Sequence, residues 1–178
     1  MNESPRAARQ ETADPAGYRA RLRGLLGDLL ALEVLAATPR ELRALFVKKD
    51  LARVRKRPAP GKWSAMEILG HLTDVEWTIG YRSRTVLCDE SPAIVPMDQN
   101  LWVEVQNHAE RQPGELLDAF ESLRSLNLAL WRRIPPQDLG RVGRHGERGE
   151  ESLQTLIDMT AGHDLNHLAQ IDRALANR

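Results

Sequence analysis

At 178 residues the chain has the length of one domain, and 42% hydrophobic with 28% charged residues is enough for one ordinary buried core. Lys and Arg number 25 and Asp and Glu 25, so no net field draws the chain to nucleic acid or anionic lipid. A single cysteine, Cys88, excludes an internal disulfide framework and a cysteine-built zinc site, and no run reaches the roughly 18 to 20 apolar residues of a membrane span. With no apolar signal core in Met1 to Asp14, the expectation is a cytoplasmic protein without membrane or nucleic-acid partners.

Residues 1–13 carry Pro5, several charges and almost no large apolar side chain, which predicts a flexible tail ahead of a single domain over 14–178. Asp14 before Pro15 pairs an N-cap residue with a proline at the first helical position. Leu22, Leu25, Leu26, Leu29, Leu32 and Leu35 then follow at helical steps and predict a first helix to about Ala37. Thr38 and Pro39 repeat the cap signal before a short helical piece, Glu41 to Val47. From Arg53 to Lys62 the chain is basic and broken by Pro58, Pro60 and Gly61, which reads as a solvated loop rather than a nucleic-acid surface.

Ser64 with Glu67 three residues on is a capping box, and it opens a long helix to about Cys88. Asp89 to Gln99 reads as a loop, with a short helix carrying Trp102 over Asn100 to Ala109. Leu116, Phe120, Leu123, Leu126, Leu130 and Ile134 mark a third long helix from Pro113, stopped by Pro135 and Pro136. Glycines 140, 143, 146 and 149 make a turn-rich stretch before Ser152 caps a last helix to about Ala176. No alternating strand pattern stands out, so the predicted fold is all-α: an antiparallel four-helix bundle with short extra helices in the connections. Leu30, Leu128 and Leu130 fall on an outer face that a homodimer could cover.

His163 and His167 lie four apart on the last helix, about 40° apart in direction at about 100° per residue, beside the apolar stripe of Leu156, Thr160, Ile171 and Leu175. Two inward imidazoles lose hydration and cannot both become cations cheaply; a divalent metal relieves both problems. The spacing alone is weak, since the metalloprotease version has Glu after the first histidine where this chain has Asp164. His71, in line with Ile68, Val75 and Ile79, adds a third inward imidazole from another helix, and three nitrogens make a facial site with positions left open for water or substrate. Three imidazoles suit zinc, nickel, iron and copper alike.

Asp74 and Glu76 stay open as acceptors for an imidazole N–H or as proton carriers, whereas Asp164 reads as a solvated flank. His108 and His145 read as surface histidines, Cys88 as a buried structural thiol, and the tryptophans as core, with Trp63 the best pocket candidate. No glycine-rich phosphate loop, nucleophile elbow or dinucleotide fingerprint is present in its required setting.

Gly61-Lys62-Trp63-Ser64, then Glu67 and Gly70-His71-Leu72 through Asp74 and Glu76, and finally His163-Asp164 with Asn166-His167-Leu168 and Gln170-Ile171, resemble the DinB-like superfamily of metal-dependent enzymes over roughly Tyr18 to Ala176. The resemblance implies a four-helix bundle holding one divalent metal, often nickel or zinc, on three histidines matching His71, His163 and His167. It also implies kinship with thiol-dependent transferases that use bacillithiol or mycothiol, and with homodimers. The expected function is therefore a metal-dependent S-transferase joining a low-molecular-weight thiol to an electrophilic small molecule. The alternatives are a metal-dependent hydrolase and a non-catalytic metal-binding or interaction bundle.

Overall fold

The computed structural model describes residues 14–176; the tail expected over 1–13 lies outside them. Seven helices follow in chain order: α1 (Pro15–Leu26), α2 (Ala31–Phe46), α3 (Leu51–Arg55), α4 (Ala65–Cys88), α5 (Gln99–Val105), α6 (Pro113–Trp131) and α7 (Leu153–Ala176). Three short strands, β1 (Ala93–Ile94), β2 (Val142–His145) and β3 (Gly149–Ser152), lie in the connections.

The capping signals act as expected at α1, α4 and α7. Asp14 accepts from Gly17 N–H, Ser64 and Glu67 exchange both capping-box bonds, and Ser152 Oγ accepts from Thr155 N–H. The first long helix is different. It breaks at Gly27, whose φ of 55° few other residues adopt, and restarts as α2 straight through Pro39. Pro39 has no N–H for the Leu35 carbonyl, and that carbonyl instead accepts from Arg124 Nη1 at 2.7 Å. The basic loop is also partly helical, and its arginines are tied down: Arg53 to the Leu175 carbonyl, Arg55 to the Glu110 carbonyl and Arg57 to the buried Glu67.

Helices α2, α4, α6 and α7 form the bundle, with α1 laid on α7. The connection after α4 returns along it, so that the His108 ring sits over Gly70 and Thr73 Oγ1 reaches the Leu116 carbonyl. Consequently α6 starts beside the start of α4 and runs with it, while α7 runs against it, Ile171 and Leu175 packing in the cluster of Met66, Leu69 and Phe120. A second cluster, of Leu35, Ile79, Val86, Trp131 and Ile157, fills the other end.

Two expectations about faces are corrected. On α6 the buried stripe is Leu116, Leu117, Phe120, Arg124, Asn127, Leu128 and Trp131, whereas Leu126 is exposed. Leu128 is thus core, and of the proposed outer leucines only Leu30 is exposed, Leu130 being half-buried. The glycine-rich stretch is a β-hairpin: β2 pairs antiparallel with β3 and parallel with β1, Ile94 opposite His145. The hairpin escaped the sequence pattern because its inward positions on β2 are Gly143 and His145 rather than large apolar residues. Cys88 is exposed at the end of α4. Trp77, also exposed, stacks on Tyr81. No described helix is long and apolar enough to cross a membrane.

Candidate metal centre

Antiparallel packing of α4 on α7 brings His71 to His163 and His167. His163 Nε2 stands 3.1 Å from His71 Nε2 and 3.1 Å from His167 Nε2, all three rings being buried. Two glycines beside these histidines let neighbouring segments, α1 and the His108 turn, pack closely against α7 and α4. A Cβ on Gly162 would stand 2.2 Å from the Leu22 carbonyl oxygen, and one on Gly70 would stand 2.2 Å from the His108 ring. His71 is held by rings, with Trp63, His163 and His167 at centroid distances of 5.0, 5.1 and 5.0 Å.

Burial, reinforced by the neighbouring imidazoles, holds His71 and His167 well below the ordinary histidine range; burial and the Arg124 charge lower His163 to about 4. All three are neutral at pH 7, with lone pairs available. Nitrogens bound to one ion at about 2.1 Å stand roughly 3.0 to 3.4 Å apart for angles of about 90 to 110°, and the observed spacing meets that. Without an ion, three converging Nε2 atoms and three buried Nδ1 atoms that make no hydrogen bond leave polar groups unsatisfied whichever tautomers are drawn. The donor set fits a divalent metal.

Among the described residues no carboxylate receives an imidazole N–H from these three rings, so Asp74 and Glu76 do not take the acceptor role kept open for them. Asp74 accepts from His108 Nε2 at 2.9 Å and Gln106 Nε2 at 2.9 Å, which makes His108 a buried strap for the connection rather than a surface residue. Glu76 and Asp164 each accept from Arg124 at 2.7 Å, and Asn127 adds a bond to Glu76. Asp164 is therefore buried, not a solvated flank, because a guanidinium neutralises it. Burial opposes the Arg124 charge, yet Asp164 and Glu76 more than offset it and raise its pKa; burial raises Glu76 too. Arg124 was missed because a charged residue is assigned outward by default. Its signal is the helical spacing from Phe120 to Asn127 and Trp131.

An open cavity of about 150 Å³ adjoins the centre, with His71 and His163 in its wall. Val75, Ile79 and Leu156 give it apolar sides; Arg82, His145 and Arg148 line it as well. His145, expected on the surface, is buried, and its Nδ1 accepts from the N–H groups of Glu147 and Arg148. Burial, then the Arg148 charge, lowers it to about 4. Trp63 packs behind His71 and does not line this cavity.

The family model described as the DinB superfamily matches residues 35–171. A protein of Oceanobacillus iheyensis named "putative metal-dependent hydrolase" is 28% identical over 134 residues, covering 75% of this chain and 77% of that one. YfiT of Bacillus subtilis, which carries the same description, is 24% identical over 141 residues, 79% of each chain. The solved structure of YfiT, described as "a probable metal-dependent hydrolase with an unusual four-helix bundle topology", superposes with a TM-score of 0.77 at 23% identity, over 81% of this chain and 83% of that one.

Proposed function

This chain belongs to the DinB superfamily, and from that premise and its three-histidine cluster we propose that it is a metal-dependent enzyme that transfers a low-molecular-weight thiol to an electrophilic small molecule. The carrying observation is the convergence of His71, His163 and His167 at 3.1 Å spacings beside an open cavity. His71, His163 and His167 would hold a divalent ion, zinc and nickel being the first candidates, whose Lewis acidity would lower the pKa of a thiol or water toward neutral pH.

The chain's own groups favour the thiol. Asp74, Glu76 and Asp164 are each committed to a buried partner, Asp98, in the cavity wall, caps α5, and Glu147, also in that wall, is engaged as well. Hydrolysis calls for a base on water and an acid on the leaving group. A thiol, with its ordinary pKa near about 8.5, needs only to lose its proton to solvent before sulfur bonds carbon and the leaving group departs or a strained ring opens. Burial keeps the histidines neutral, and Val75, Ile79 and Leu156 offer apolar contact to the body of a substrate beside them.

Hydrolysis is the second reading, favoured by the names of the relatives. Metal-loaded protein incubated with a chlorinated aromatic electrophile, with and without cysteine or glutathione, separates the two. Electrophile loss that requires the thiol and disappears in His71→Ala is expected. Loss at the same rate without thiol would replace transfer by hydrolysis.

A further inference from the structure

Beyond the metal centre, the cavity holds a cation that the proposed chemistry does not use. His71, Val75, Thr78 and Arg82 form one stripe of α4: Arg82 is eleven positions after His71, about 16 Å of rise and about 20° from a whole number of turns. On α7, His163, Thr160 and Leu156 make the matching stripe in the opposite chain direction. The cavity is thus a trough between α4 and α7 that starts at the histidines, passes Val75, Ile79 and Leu156, and ends at Arg82, His145 and Arg148.

Two carboxylates, Asp98 and Glu147, share the lining with these cations, but Asp98 caps α5, Glu147 is engaged in its own contact, and Arg82 is ion-paired with neither. Arg148 is spent on the buried Glu151, with Nε to Oε1 at 2.6 Å and Nη2 to Oε2 at 2.9 Å. Arg82 has no ion pair among the described residues; its Nη2 donates to the Val95 carbonyl at 2.7 Å, and its Nε is buried without a partner. His145, with Nδ1 accepting from two backbone N–H groups, is left with Nε2–H as its donor. Burial and the nearby Arg148 charge depress Arg82 to about 10, still fully cationic at neutral pH but short of compensation. A half-satisfied guanidinium in the wall of a cavity is stabilised by an anion that takes its free donors.

The geometry points to an anion subsite at Arg82, with His145 as a second donor, so that the substrate is an elongated amphipathic anion: reacting group at the histidines, apolar body along Val75, Ile79 and Leu156, and a carboxylate or phosphate at Arg82. Which end reacts rests on the function proposed above; the subsite itself does not.

Titration calorimetry of the full chain with hexanoate, hexanamide and hexyl phosphate, on metal-loaded and on metal-stripped protein, tests it. Hexanoate is expected to bind at least about tenfold more tightly than hexanamide in both forms. Arg82→Gln should erase that preference without changing metal content, and hexyl phosphate outcompeting hexanoate would identify the anion as a phosphate ester. Equal binding of acid and amide overturns the subsite, and needs no variant to be seen. So does a preference that survives Arg82→Gln or that exists only with metal loaded, since the acid then ligates the ion. A chain that takes up no metal yet prefers hexanoate would sink the metal-dependent reading and leave this one standing.

Discussion

Arg124 holds together three helices and a broken backbone ladder. Its guanidinium spans Glu76 on α4, Asp164 on α7 and the Leu35 carbonyl that Pro39 leaves free on α2, and it lies over the Phe120 ring at 4.8 Å. Arg124→Met fills similar space but strands two buried carboxylates, and should cost about 3 to 5 kcal/mol in urea unfolding; a loss under about 1 kcal/mol would show that the acids are rehydrated in the fold. His145 gives a pH signature. Burial and the Arg148 charge hold it at about 4, against about 6.5 in an unfolded chain, so between those values the unfolded chain binds the extra proton and stability falls as pH drops. His145→Asn keeps an acceptor and cannot titrate, so its urea midpoint should fall less from pH 6.5 to 4 than that of the unmodified chain; parallel curves would contradict this. At this scale the sequence pattern exposed the three histidines, because His163, His167 and His71 sit on apolar stripes. It concealed Arg124, Asp164 and His108, because each is buried only by virtue of a partner on another helix.

Individual helices were the most legible features. Caps at Asp14, Ser64 and Ser152 and apolar spacing locate α4 and α7 to within a residue or two. What local signals misread was α2, where Pro39 suggested a start and is instead accommodated by Arg124, and the β-hairpin, whose inward Gly143 and His145 carry no apolar alternation. Element contacts around the centre depend on absent side chains. Gly162→Ala would drive a methyl group into the Leu22 carbonyl, prising α1 from α7 next to His163. Overpacking of that kind costs about 1 to 3 kcal/mol, and here it should also weaken metal retention, read by competition with a chelator. A stability loss with metal retention unchanged would mean that α1 moves without disturbing the histidines.

As a whole, the molecule is two apolar clusters separated by a polar layer, with the histidines on the cavity side of that layer and the Arg124 network on the other. This division explains how an uncharged trio of imidazoles can be kept convergent while the neighbouring acids Glu76 and Asp164 are held away from them by Arg124. Bundle class and the inward placement of His71, His163 and His167 could be read from helical periodicity; the cavity could not, since Arg82, His145 and Arg148 meet only through the return connection and the hairpin. The central claim is the metal. Elemental analysis of untagged protein purified without chelator, alongside His71→Ala, His163→Ala and His167→Ala, should find about one divalent ion per chain, lost in each variant; unmodified protein that arrives metal-free and takes up neither added zinc nor added nickel would contradict it.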